Sequence, residues 1–242
     1  MRRSMLGLVL LGLLLVNPLQ GQEPPKHAYL AFFRVSYADL DDWNRDYWEY
    51  SVPILEDLQE QGLIEGFNQW QHSVGSEYNI RFAVRTYDWA SIDTFWSEYL
   101  SRLSEANPDS DGSMVQAHRD EVWDIGEVHL PEGGVNASHI YSASFRLNFA
   151  DQDEWNRVWS ETIAPILDEA MAEGLLGGWV KLNHNTGGPH NSKVLYFFEE
   201  WDDIEDLFGK LLGRMAQDAD QFERIMALFQ AHDDVIWVPT IR

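Results

Sequence analysis

The sequence predicts an α+β chain of two tandem βαββαβ units, and three observations carry that prediction. The first is a repeat. Phe33-Arg34 returns as Phe145-Arg146, Trp43-Asn44-Arg45 as Trp155-Asn156-Arg157, and Pro53-Ile54-Leu55 as Pro165-Ile166-Leu167, each 112 residues on (Phe33 to Phe145). Toward the end of each copy Gln116-Ala117-His118 returns as Gln230-Ala231-His232, now 114 residues on (Gln116 to Gln230). A match of this length with one small gap marks a duplicated domain. The second observation is period-two alternation at the head of each copy, and the third is helical spacing of aromatic residues directly after it.

Tyr29, Ala31, Phe33 and Val35 line one face of a first strand, as do Tyr141, Ala143, Phe145 and Leu147 in the second copy. Arg34 and Ser36, matched by Arg146 and Asn148, fall on the more polar face. A helix follows, with Asp39 or Asp41 as its cap and Asp151 or Asp153 as the equivalent. Trp43, Tyr47, Tyr50 and Ile54 sit at helical spacing, as do Trp155, Trp159 and Ile166. Pro53 and Pro165 fall inside that pattern and predict a kink or a split. Gly62 and Gly174 then stop the helix at the position that favours a left-handed residue.

Phe67 to His72 and Trp179 to His184 read as second strands, each leading through a polar turn to third strands at Ile80 to Tyr87 and Val194 to Glu199. Trp89 and Trp201 open a second helix, over 91–105 in the first copy, where Asn107 to Gly112 breaks it. The stretch from Asp202 to Ala231 lacks that Pro and Gly, which predicts a more continuous helix. Fourth strands are Val122 to His129 and Val235 to Ile241. The units therefore span 27–130 and 137–242, joined by a linker at 131–136.

Residues 1–21 read as an export signal. Arg2 and Arg3 form a basic start, Met5 to Val16 is an apolar run too short to span a bilayer, and Gly21 is a small residue at the cut. The expectation is a secreted or periplasmic protein with no membrane partner after cleavage. Losing Arg2 and Arg3 takes the formal charge from −23 to −25, which argues against nucleic acid as a partner. Cysteine is absent, so stability must come from the core rather than from disulfides.

The order βαββαβ is the ferredoxin-like split βαβ unit, an antiparallel sheet with both helices on one face. One such layer leaves its other face bare, and two copies in one chain can cover each other by packing sheet to sheet. On element order, the duplicated unit and the aromatic first helix with its internal Pro, residues 27–242 resemble the dimeric α/β-barrel superfamily. That superfamily includes cofactor-free monooxygenases, stress-responsive barrel proteins, haem-handling members and NIPSNAP-type domains. The resemblance implies an intramolecular pseudo-dimeric barrel and carries no catalytic residue onto this chain.

Phosphate loops, nucleophile elbows and His-Glu-x-x-His pairs are missing from the sequence. The repeat pairs six of the eight histidines: His27 with His139, His72 with His184, and His118 with His232. His72 is expected to end the second strand and His118 the second helix, at the same end of the unit. The plainer reading is that these rings cap strand and helix ends. Metal is not predicted, and haem is the lesser alternative, because no local ligand spacing supports either. Arg81, Arg85 and Lys193 also fall on predicted strands, but Arg34 and Arg146 are the arginines expected to look into the space between the sheets. A guanidinium there must be paired or must line a wet cavity, where it could hold an anionic group in a fork. Trp43 and Trp155, at helix-core spacing, pack the helix on the sheet or wall an apolar site.

These residues support three readings. The first is an exported binding module for a small molecule, apolar or aromatic with an anionic group, held by Arg34, Arg146, Trp43, Trp155, His72, His184, His118 and His232. The second is an enzyme resembling the cofactor-independent monooxygenases. The third is haem or metal handling through the paired histidines.

Overall fold

The computed structural model describes residues 24–240, so the predicted leader and its cleavage position lie outside the described residues. The first half of the chain runs β1 (His27–Val35), α1 (Leu40–Asp46), α2 (Val52–Glu60), β2 (Gly66–Val74), β3 (Ile80–Thr86), α3 (Trp89–Ala106) and β4 (Val115–His129). The second half runs β5 (His139–Leu147), α4 (Gln152–Val158), α5 (Ala164–Ala172), β6 (Gly178–Thr186), β7 (Ser192–Phe198), α6 (Asp202–Met215), α7 (Ala219–Ala227) and β8 (Phe229–Pro239). The two halves repeat one βαββαβ order, as the duplicated sequence requires.

The strands form a closed antiparallel barrel in the order β1-β3-β2-β8-β5-β7-β6-β4. Within each half the sheet is that of the split βαβ unit. Between halves, β4 pairs with β6 and β8 with β2, so the two facing sheets also join along their edges. Closure removes every sheet edge, which otherwise would be open to pairing with other chains. The antiparallel registers place Val35, Val115, Leu147 and Phe229, and the β2–β3 and β6–β7 turns, at one end of the barrel.

Alternation along β1 separates two environments. Ala31 packs outward under the helices with Leu55, Leu58, Val84 and Phe95, and the second half has a larger equivalent layer around Trp155, Trp159 and Leu167. Ala28, Leu30 and Phe32 face inward and share the barrel interior with Trp70, Trp123, Leu182 and Trp237.

Each predicted Pro kink is a wide helical turn. Val52 N–H donates to the Tyr47 carbonyl and Ala164 N–H to the Trp159 carbonyl, both five residues back, immediately before Pro53 and Pro165. A proline brings no N–H to the ladder, so the register can widen there. Asp39 and Asp151 occupy the cap positions, without a side-chain capping bond. Gly62 and Gly174 end the helices at φ 73° and 81°.

Two expectations are corrected. Asp202 to Ala231 is not one continuous helix: α6 ends at Met215, and Asp218 accepts a hydrogen bond from the Gln221 N–H to start α7. His118 does not end a helix. It lies in β4, which starts at Val115, and His232 lies in β8. Burial alternates along the first part of β4, but only Val115 and Ala117 among residues 115–121 are apolar, so the sequence carries a weak strand signal there.

Candidate functional site

A charged cluster sits inside the barrel, built from the inward positions of three strands. Lys193 of β7 places its Nζ 2.9 Å from Glu121 Oε2 of β4, an ion pair between the two halves. Trp123, two residues along and therefore on the same face, donates its Nε1–H to the same oxygen at 2.9 Å. Arg119, two residues the other way, brings its Nε to 3.3 Å from Glu121 Oε1. Lys193 also lies over the rings of Trp123 and Phe32 at 4.8 and 5.2 Å, and the Arg119 guanidinium over Phe32 and Tyr78, both at 4.9 Å.

Arg81 of β3 is the repeat equivalent of Lys193 and is as deeply buried, 2% exposed against 4%. Its guanidinium lies over Trp237 at 5.3 Å and Trp70 at 5.9 Å. Among the described residues its Nε and Nη1 have no hydrogen-bond partner. Glu121 attracts it, but that carboxylate is already engaged by Lys193 and Trp123.

The electrostatics follow from this geometry. Burial pulls the Arg81 guanidinium down to about 9, with Glu121 only partly opposing it. Burial likewise lowers Lys193, against the pull of Glu121. For Glu121 burial acts upward, yet Lys193, Arg119 and the Trp123 N–H together hold its carboxyl below the usual range. Two buried cations, Arg81 and Lys193, and the partly exposed Arg119 therefore face one buried carboxylate. An isolated buried charge costs several kcal/mol, so an anion brought to Arg81 would relieve a penalty already present. Cation–π contacts offset some of that penalty, but leave the guanidinium donors unmet.

The β2–β3 and β6–β7 turns lie over this interior. Tyr78 packs against Phe32 with ring centroids 6.1 Å apart. His190, its repeat equivalent, is lowered first by burial and then by Lys193. Gly187 and Gly188 have φ of +80° and +71°. A Cβ on Gly188 would stand 2.5 Å from Glu121 Oε1, so this turn rests directly on the carboxylate.

The residues expected to bind ligand are not gathered in one place. Arg34 and Arg146 are exposed at the barrel end rather than enclosed between the sheets, since β1 and β5 finish there; Arg34 faces Glu77 at 3.8 Å. Trp43 donates to Gln69 Oε1 at 3.1 Å and Trp155 to Ser192 Oγ at 3.1 Å, both in the helix–sheet layers. His72 Nε2 accepts the Ser76 N–H at 3.0 Å, and His184 Nε2 donates to the Gly187 carbonyl at 2.8 Å, so these rings brace the two turns. His118 and His232 lie outside the barrel, Nε2 to Asp120 and Asp234 at 2.7 and 2.8 Å. Tyr29 and Tyr141 donate to the same two carboxylates, and burial together with those contacts raises both phenols.

Haem ligation requires an imidazole nitrogen directed at iron. The Nε2 atoms of all four histidines are engaged within the chain, and Trp159, Leu167 and Trp179 fill the second helix–sheet layer at 1% exposure or less. These residues do not fit the group.

Comparison with known proteins places this geometry. No protein-family profile and no curated relative matches the sequence. Solved structures do match in fold. A monooxygenase candidate from Fusobacterium nucleatum is 10% identical with a TM-score of 0.60, over 91% of this chain and 94% of its own. A monooxygenase candidate from Lactobacillus acidophilus is 6% identical with a TM-score of 0.59, over 90% and 95%. A haem-binding protein from Thermus thermophilus is 11% identical with a TM-score of 0.53, over 89% and 91%. The chain has the dimeric α/β-barrel fold, with both halves of the barrel in one polypeptide.

Proposed function

We propose that this protein is an exported small-molecule-binding barrel whose ligand delivers an anionic group to Arg81, Lys193 and Arg119. The observation that carries the reading is the buried Arg81 guanidinium, with two nitrogens lacking a partner beside two further cations and one engaged carboxylate. Phe32, Tyr78 and Trp237 supply an aromatic surround for an apolar body. Export rests on the basic start and apolar run of residues 1–21. Native mass spectrometry of the purified protein tests the reading. An acid-bearing molecule is expected on the wild type and absent from Arg81→Met, and an identical ligand on both proteins would refute it.

A cofactor-independent oxygenase is the second reading, and one arrangement favours it. Each half carries a His-Asp pair with a tyrosine on the same carboxylate, groups able to take a proton from an acidic organic substrate. Oxygen uptake with a polyphenol panel, lost in a His118→Ala/His232→Ala double variant, would favour it. Silence across the panel would leave binding as the function.

A further inference from the structure

We propose that the outer flank of α6 is a docking groove for a cationic amphipathic helix of another protein. Trp201, Glu205, Phe208 and Leu212 stand at i, i+4, i+7 and i+11, which sets them in one stripe along the helix from its cap onward. The stripe covers roughly 16 Å of helix axis. With Asp202, Ile204 and Gly209 it lines a groove of about 410 Å³.

The first half carries the same stripe. Trp89, Asp93, Trp96 and Leu100 of α3 occupy the equivalent positions. Both copies keep the tryptophan and the leucine although solvent reaches them: Trp89 and Trp201 are 47% and 46% exposed, Leu100 and Leu212 54% and 50%. Trp201 touches His139 and Phe208 touches Tyr141, so one edge of the stripe rests on the sheet while the other meets water. Core packing does not account for large apolar side chains kept half in water at two repeat-related places. Contiguous exposed apolar surface of this kind marks an interaction site.

Charge selects the occupant. Six of the eight residues from Glu199 to Asp206 are acidic and none is basic. The cations of α6 lie on its opposite flank and are engaged by α5 and its end. Lys210 meets Glu169 and Glu173 at 3.1 and 2.6 Å, and Arg214 meets Glu169 at 3.0 Å. Asp202 and Glu205 are left without an ion pair among the described residues. A second copy of this chain, with a formal charge of −23, would bring acid against acid, and an anionic lipid surface would do the same. A helix with leucines on one face and lysines beside them meets both features: its apolar side chains enter the groove and its ammonium groups reach the carboxylates. Over the equivalent stretch, Tyr87 to Thr94, the first half has only Asp88 and Asp93, so α6 holds the stronger site.

Gly209 keeps the groove open. A Cβ there would meet nothing within 4 Å, so packing does not call for glycine. Helix formation does not call for it either, since glycine is the poorest helix former after proline.

The test is fluorescence anisotropy with two labelled helices of about fourteen residues, long enough to cover the stripe. One is built of leucine and lysine, the other of leucine and glutamate in the same pattern, each added to the full mature protein at constant ionic strength. The Leu/Lys helix is expected to bind about tenfold tighter or more. Gly209→Gln fills the groove without changing charge, and Leu212→Ser removes apolar surface. Each is expected to weaken binding about tenfold or more, as loss of a central contact does, with Gly209→Gln melting no lower than wild type. Equal binding of the two helices, or binding of neither, would overturn the proposal. So would unchanged binding of the Leu/Lys helix to Gly209→Gln, because a general acidic surface would then suffice. A dimer in sedimentation velocity that Gly209→Gln dissolves would make a second copy the occupant instead. Flotation with phosphatidylcholine vesicles, lost in the same variant, would make it a lipid surface.

Discussion

Arg81 and Lys193 hold the same place in the repeat but differ in what they meet. Lys193 has a carboxylate at 2.9 Å, whereas Arg81 has aromatic rings and two unmet donors. Glu121 therefore holds the existing pair together, and Glu121→Val, the residue found at 235, would strip Lys193 and Trp123 of their acceptor and Arg119 of its counter-charge. A loss of about 3–5 kcal/mol in urea unfolding is expected, the usual cost of breaking a buried pair. The carboxyl is held below its ordinary range, so its contribution is present above the unfolded value and disappears as pH falls through the folded one. In Glu121→Gln the acid limb of the stability curve should flatten. Arg81 behaves in the opposite sense. With its folded value near 9, the charged form costs stability at neutral pH, and that cost is relieved as pH rises past this value.

At the scale of elements, the β6–β7 turn makes the sharpest demand on sequence. Gly187 combines φ +80° with a would-be Cβ only 2.2 Å from the Asp120 carbonyl oxygen, which is backbone and cannot step aside. Gly112 has a similar φ of +71° but nothing near its would-be Cβ. Gly112→Ala should therefore cost only the left-handed penalty, about 1–2 kcal/mol, while Gly187→Ala should cost distinctly more and shift β4 and β6 at their seam. Chemical denaturation of the two variants side by side checks this. These elements were legible to different degrees. Strands and helices with one buried face announced themselves in Tyr29 to Val35 and Trp43 to Ile54, and the two prolines marked the wide turns. The start of β4 was hidden, since Val115 and Ala117 are its only apolar residues before Val122. The site was hidden for another reason. Weighing residues by their repetition points to His118, His232, Trp43 and Trp155, whereas the charged interior uses positions where the copies differ, such as Glu121 and Val235. Arg81 and Lys193 were visible as cations on equivalent strand positions; the acid between them was not, because it lies in the part of β4 that reads as no strand.

The whole molecule is held by two seams rather than by its linker. One half alone would present the edges of β2 and β4 to solvent and lay bare Trp70 and Trp123, an arrangement that invites pairing with any other strand. The connection between halves is slight by comparison. Pro131 to Gly134 forms an exposed turn with positive φ at Gly133 and Gly134, and Val135 then buries itself against Gly177 and Gly178. The Lys193–Glu121 pair crosses between halves as well, so the electrostatic centre adds to the join. A protease site inserted between Glu132 and Gly133 should therefore be cut without dissolving the barrel. After cleavage the fragments are expected to co-elute in gel filtration and to part only in denaturant. Refolding of the nicked protein should depend on concentration, where the uncut chain does not. If the fragments separated in plain buffer, the seams would be too weak to keep Arg81, Lys193 and Glu121 in a closed interior, and the anion site would depend on the covalent tether instead.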